Sequence, residues 1–361
     1  MLDQVATAFE QQDYKAAARL VQELLQRSPQ DPWVQFYLGR LQEVSQKLET
    51  AETTYRQLLR NTTNPKLMTQ VRQGLQRLEA MRQEQRQAAI AQATLDPANQ
   101  KPGCLVLQAV TGDLRPKAVQ NLARVMHLDA YNARSILPGR GWRLYRMGKV
   151  GEIQVYGQEL QRAEIPVFWS SLAAVEAIQV FQVNYFQAVS PQVTVICQND
   201  ANQLGSLTFN WSEVSQRVEG MLPVFEQVLE LGYRDRLERK EQTQDYNHFC
   251  DLHLPGRNCI LRLQDSRYEF HQGGKWLLEQ PGRDRLDNTV RRNWNRLIAL
   301  LDRHLPQTPV WSEFQVFGES TTDFALPLSR LNPHIHLFRD RDCYLDQAFH
   351  LYSSLIFLHN R

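Results

Sequence analysis

Apolar residues recur every three or four positions through the first 94 residues, and almost nothing there alternates as a strand would. The pattern predicts helices over about Leu2–Gln11, Tyr14–Arg27, Pro32–Gln46, Glu49–Arg60 and Pro65–Ala93. Ser28-Pro29-Gln30-Asp31-Pro32 breaks the second helix from the third. Pro32 suits a first helical turn, where its missing N–H would have no intrahelical acceptor. The fifth helix carries an apolar stripe at Val71, Leu75, Leu78 and Met81, as a capping helix over the preceding pair would. Beyond it, Arg82 to Gln87 reads as a solvated face, and the run from Asp96 to Gly103 marks a domain boundary.

The pattern then changes. Cys104 to Val110 is a short apolar run fitted to a buried strand, followed by a helix with Pro116 in its first turn and a shorter helix near Ala130–Leu137. Trp142–Tyr145 (strand), Val150–Arg162 (helix) and Pro166–Trp169 (strand) complete a small α/β sandwich with helices on one face. From about Ala177 two-residue alternation dominates. Strands are expected at 178–183, 193–197, 206–211, 224–231, 249–254, 259–263, 268–271 and Trp311–Phe317, with antiparallel pairing the economical reading. Val290, Trp294, Leu297, Ile298, Leu301 and Leu305 define a long amphipathic helix, and Tyr344–Leu358 a final one. The order of strands closed by one long helix is similar to that of pleckstrin-homology-like rolls, a likeness of topology alone.

Within the helical part the spacing repeats. Ala17 and Ala51 lie 34 residues apart, Val21 matches Tyr55, Leu24 matches Leu58, and Pro29 falls where Thr63 and Pro65 close the next unit. Leu38-Gly39 supplies a Leu-Gly step, although Val5 stands at the glycine position of the first unit and Gln42 where an aromatic would fit. This 34-residue register with a small residue in each second helix resembles the tetratricopeptide repeat, a helix-turn-helix module. The Gln-rich helices and Trp-rich strands of the whole chain are similar to those of repeat proteins of cyanobacteria.

The resemblance implies close helix contacts at Ala17 and Ala51 and a concave surface built from the first helix of each pair. Phe9, Glu10, Phe36, Arg40, Glu43 and Arg77 would then face a protein partner, with Phe36, Arg40 and Glu43 exposed on it. Members that grip chaperone tails use a basic clamp with asparagines. Here Arg40 and Arg77 are the available bases, and no asparagine falls beside them.

The remaining composition narrows the picture. With 361 residues the chain can hold two or three domains, and a multidomain α+β protein is expected, divided 1–95, 103–172 and 173–361. Forty-one basic against thirty-nine acidic residues argue against binding nucleic acid by bulk charge. No apolar run reaches the roughly 18 residues of a membrane span, and Met1-Leu2-Asp3-Gln4 lacks a secretory profile. Five scattered cysteines make a disulfide framework unexpected, so a reduced, cytoplasmic protein is the expectation.

No catalytic signature stands out, and no enzyme activity, metal or cofactor is expected. Gly139-Arg140-Gly141 and Gly148-Lys149 miss the phosphate-loop spacing, and the first precedes a strand instead of following one. On a strand, His248 and Cys250 share one face while His253 points to the other, so with Cys259 they read as core cysteines beside surface histidines. His334 and His336 would share one face of a short strand without a third ligand. Asp340, Asp342 and Asp346 alternate with arginines at a helix start, and the mixed-sign stretch 234–241 has charges that nearly cancel. One basic concentration remains: Arg283, Arg285, Arg291, Arg292 and Arg296, interleaved with Trp276 and Trp294. It suggests either an arginine-bearing outer helix face or a site for an anionic small molecule or lipid headgroup. The leading expectation is a non-enzymatic adaptor or assembly factor whose groove holds a partner protein, with anion sensing by the C-terminal arginines as the alternative.

Overall fold

A computed structural model describes residues 1–231, 237–272, 289–337, 339 and 343–360. The chain divides into two compact units, Met1–Gln92 and Ala93–Arg361. No helix among the described residues is long and apolar enough to cross a membrane.

In the first unit the helices are α1 (Leu2–Glu10), α2 (Tyr14–Arg27), α3 (Pro32–Val44), α4 (Leu48–Asn61) and α5 (Pro65–Ala93). Three of them start on a side-chain cap. Asp13 accepts from the Ala16 N–H, Asp31 from Trp33 and Val34, and Asn64 from Lys66 and Leu67, satisfying amides that have no helical acceptor. The turns repeat as well: Gln12 and Gln46, one register apart, both adopt the left-handed conformation, at φ 58° and 59°. Ala17 and Ala51 are fully buried where their helices meet the neighbours.

The second unit opens with a three-stranded antiparallel sheet, order β2-β1-β3, made of β1 (Pro102–Gln108), β2 (Trp142–Lys149) and β3 (Val167–Ser171). Leu105 and Leu107 pack under α6 (Leu114–Met126), α7 (Ala130–Ile136) and α8 (Val150–Arg162). Cys104 and Val106 point to the opposite face, as strand alternation requires. The segment leading into Gly139-Arg140-Gly141 is held by Arg115, which donates to the carbonyls of Val110, Leu137 and Pro138 at 2.8–3.0 Å.

After α9 (Leu172–Glu176) come β4 (Gln179–Ala188), β5 (Val193–Gln198), β6 (Leu204–Phe209), β7 (Gln216–Leu231), β8 (Leu237–Leu254) and β9 (Cys259–Gln264). Then follow α10 (Val290–His304), β10 (Val310–Trp311), α11 (Phe314–Ser320), α12 (Ala325–Leu328) and α13 (Tyr344–His359). The seven strands form one sheet, order β10-β7-β8-β9-β4-β5-β6. Cys250, Leu252, Cys259 and Leu261 pack with α10, whereas Phe249 packs with Phe349 of α13 on the other face. Helices therefore cover both faces of this sheet, α10 one and α13 the other. The boundary expected at 172/173 falls inside α9, and β1, β2 and α13 share one hydrophobic cluster.

Several expectations need correction. The sheet is mixed: β4 pairs in parallel with β9, and β10 with β7. Of the strand expected at Trp311–Phe317 only Trp311 pairs, with Val310 before it; Phe314–Phe317 belong to α11, since Phe314, Phe317, Gly318 and Ser320 bury one helical face. Residues 268–271 form no strand, and the Tyr268 hydroxyl instead accepts the Phe186 N–H at 3.0 Å. His334 lies outside any strand, at φ 51°, with Nδ1 2.6 Å from Asp200 Oδ1. His253 is not a surface residue. It is fully buried, shares a hydrogen bond with Ser353 Oγ at 3.0 Å, and burial lowers its pKa to about 4.

That depression carries a pH prediction. Between about pH 6.5 and 4 the unfolded chain binds a proton at position 253 that the native chain refuses, so this group's stabilisation falls as pH falls. His253→Gln should flatten the dependence by up to about 1.4 kcal/mol per pH unit in that window, read from urea unfolding of both proteins. Asp265, pushed up to about 6 by burial, acts in the opposite sense and cancels in the comparison. Identical slopes for the two proteins would refute the buried neutral imidazole.

Candidate functional site

Alternate helices of the first unit carry the site. Leu2, Asp3, Ala6, Phe9 and Glu10 of α1, Trp33, Phe36, Tyr37 and Arg40 of α3, and Lys66, Gln70, Gln73 and Arg77 of α5 line one open cavity of about 640 Å³. Each set follows three- and four-residue spacing, so each helix offers a single face. None comes from α2 or α4, whose small and apolar residues hold the first helices side by side.

Aromatic rings pave much of the wall. Phe9 stacks on Tyr37 with centroids 5.5 Å apart, Phe36 meets Tyr37 edge-on at 5.4 Å, and Trp33 meets Phe36 edge-on at 6.0 Å. Arg40 lies over the Phe9 ring, 4.8 Å from its centroid, a cation–π contact. Its Nε is buried and has no hydrogen-bond acceptor among the described residues. Burial raises the Tyr37 pKa, Arg40 pulls it back, and Asp3 and Glu10 add to the rise.

Five of the six expected contact residues converge here: Phe9, Glu10, Phe36, Arg40 and Arg77. Exposure was misjudged for two. Phe36 is only 3% exposed, and Glu43 only 8%, because Glu43 turns inward and does not line the cavity. Its carboxylate accepts the Tyr55 hydroxyl at 2.9 Å and the Arg77 Nε and Nη2 at 2.6 and 3.0 Å. Glu43 thus positions Arg77. Asp3, Trp33, Tyr37, Lys66, Gln70 and Gln73 were missed, although the register pointed to some: Tyr37 lies 34 residues after Asp3, and Gln70 34 after Phe36.

The alternative arginine site divides. Arg283, Arg285 and Trp276 lie outside the described residues, while Arg291, Arg292 and Arg296 sit exposed on α10 with Trp294 buried beneath. Residues 234–236 of the charged stretch are likewise outside, as are Asp340, Arg341 and Asp342; Asp346 pairs with Arg339. Among the described residues no group of three or more His, Cys, Asp or Glu is placed to hold a metal ion.

The family model of the tetratricopeptide repeat matches residues 8–72. No curated protein and no solved structure matches the chain. With the repeated turns, the buried alanines and the match in register, the N-terminal part of this chain is a tetratricopeptide-repeat segment.

Proposed function

We propose that the repeat segment binds a segment of a partner protein in the groove of α1, α3 and α5, making the chain a non-enzymatic adaptor or assembly factor. The observation that carries the reading is the convergence of Trp33 and Tyr37, backed by the buried Phe9 and Phe36, with Arg40 and Lys66 on one concave face. Aromatic and arginine side chains supply most of the binding energy at protein interfaces, since they bury large areas at modest entropic cost. Arg40 in the lining offers its guanidinium to a carboxylate or carbonyl of the partner. Gln70 and Gln73 offer both donors and acceptors to a peptide backbone.

Affinity capture from native cells with the full-length chain, identified by mass spectrometry, tests this. Arg40→Glu should reduce recovery of the specific partner at least tenfold, equivalent to about 1.4 kcal/mol, with hydrogen-exchange protection of residues 1–92 retained. A partner set identical to that of the unaltered chain would remove the groove from consideration.

A further inference from the structure

β7 loses its outer neighbour after two rungs. β10 pairs with it only at Val310↔Arg217 and Trp311↔Val218, because the chain turns at Ser312 and Glu313 into α11. The Arg217 N–H donates to the Pro309 carbonyl, so odd-numbered residues here aim their backbone groups away from β8. The opposite strand agrees, since the His248 carbonyl, across from Met221, accepts from Asp265 on the β9 side. Glu219 and Met221 therefore present N–H and C=O groups to the open side, where no strand among the described residues pairs beyond Val218. Pro223 ends this stretch: it has no N–H, and its carbonyl accepts from Arg339 Nη1 at 3.2 Å.

A cavity of about 540 Å³ flanks this edge. Met221, 51% exposed, lies with His248 and Trp294 on one side, and Phe314 and Tyr344 lie on the other. Among the described residues the lining holds two carboxylates, Glu219 and Glu319, and no lysine or arginine. Arg217 lies 2.9 Å from Glu219 and 2.6 Å from Asp302, so among the described residues one guanidinium serves two carboxylates and the edge keeps a negative excess.

We propose that the β7 edge at Glu219 and Met221 is a docking site for an extended, basic peptide segment of a partner, which adds as a strand where β10 ends. Backbone pairing supplies affinity and alternate side chains supply choice: basic ones settle beside Glu219 and Glu319, apolar ones between the aromatic walls. The site is separate from the repeat groove and does not rest on its reading.

The test titrates full-length protein with three end-blocked probes: (Lys-Val)3, (Glu-Val)3, and (Lys-Val)3 carrying N-methyl groups on alternate residues. The lysine probe should bind saturably, with the acidic and methylated probes at least tenfold weaker. Met221→Pro should abolish binding at unchanged thermal stability, because that N–H serves no ladder bond. Glu219→Gln should weaken binding several-fold, and Arg40→Glu in the repeat groove should leave it untouched. Equal binding of methylated and unmethylated probes overturns strand addition, and equal binding of the acidic probe overturns the charge assignment. Absence of saturation at millimolar probe, or loss with Arg40→Glu, overturns the site. A dimer of the chain that Met221→Pro dissociates would make a second copy the occupant and overturn the basic partner.

Discussion

Tyr55→Ala is expected to destabilise Met1–Gln92 by about 3–5 kcal/mol, the range for truncating a buried aromatic side chain. Tyr55 is 0% exposed and lies between two glycines on different helices. A Cβ on Gly39 would stand 2.5 Å from one edge of its ring, and a Cβ on Gly74 would stand 2.7 Å from the other. The ring therefore fixes the spacing of α3 and α5, and both of those helices line the groove. Its hydroxyl donates to Glu43, a buried carboxylate that also holds Arg77. Alanine removes the spacer and one of the donors together. Hydrogen exchange on the full-length protein should show protection lost throughout residues 1–92 and retained beyond them, with partner capture lost in parallel. Tyr55→Phe keeps the spacer and should cost only about 1–2 kcal/mol, the penalty of a buried acceptor deprived of a donor. Equal losses for the two variants would refute the spacer role, and unchanged protection in Tyr55→Ala would refute both.

The same residues show how far the sequence could be read. The 34-residue register located Ala17, Ala51 and Tyr55 because close packing of repeated helices leaves few substitutes for a small residue in the contact. The resemblance to the repeat likewise pointed Phe9, Phe36 and Arg40 toward one groove. Glu43 was misjudged because a carboxylate on a helix face usually meets water. Only the arrival of Tyr55 from α4 and Arg77 from α5 turns it inward. Trp311–Phe317 was read as a strand because a short apolar run fits either period, and burial of Phe314 and Phe317 on one side settles it as helix. The parallel pairs β4·β9 and β7·β10 were out of reach, since each joins segments about 80 or more residues apart. So was the β7 edge, which exists only because β10 stops after two residues.

Arg262 is the sharpest case, because nothing in Cys259–Gln264 announces that its arginine is fully buried. It grips Asp251, also fully buried, through Nε–Oδ1 and Nη2–Oδ2 contacts of 2.9 and 2.7 Å. Nη1 donates to the Pro333 carbonyl at 2.7 Å, and the guanidinium lies 5.2 Å from the Phe349 ring centroid. The pair thus joins β8, β9, the 333–334 segment and α13 at one point. Removing one partner strands the other charge where water cannot reach it, so Arg262→Met should cost about 3–5 kcal/mol. Replacing both partners removes the stranded charge as well, and Arg262→Met with Asp251→Leu should recover most of the loss. Six of the seven tryptophans lie beyond residue 93, so fluorescence during urea unfolding reports mainly on this unit. A double variant no more stable than the single one would mean that the arginine's bonds to the 333–334 backbone and its contact with Phe349 matter more than its charge. In that outcome Arg262→Lys, which keeps the charge but loses the planar fork, should be as damaging as Arg262→Met.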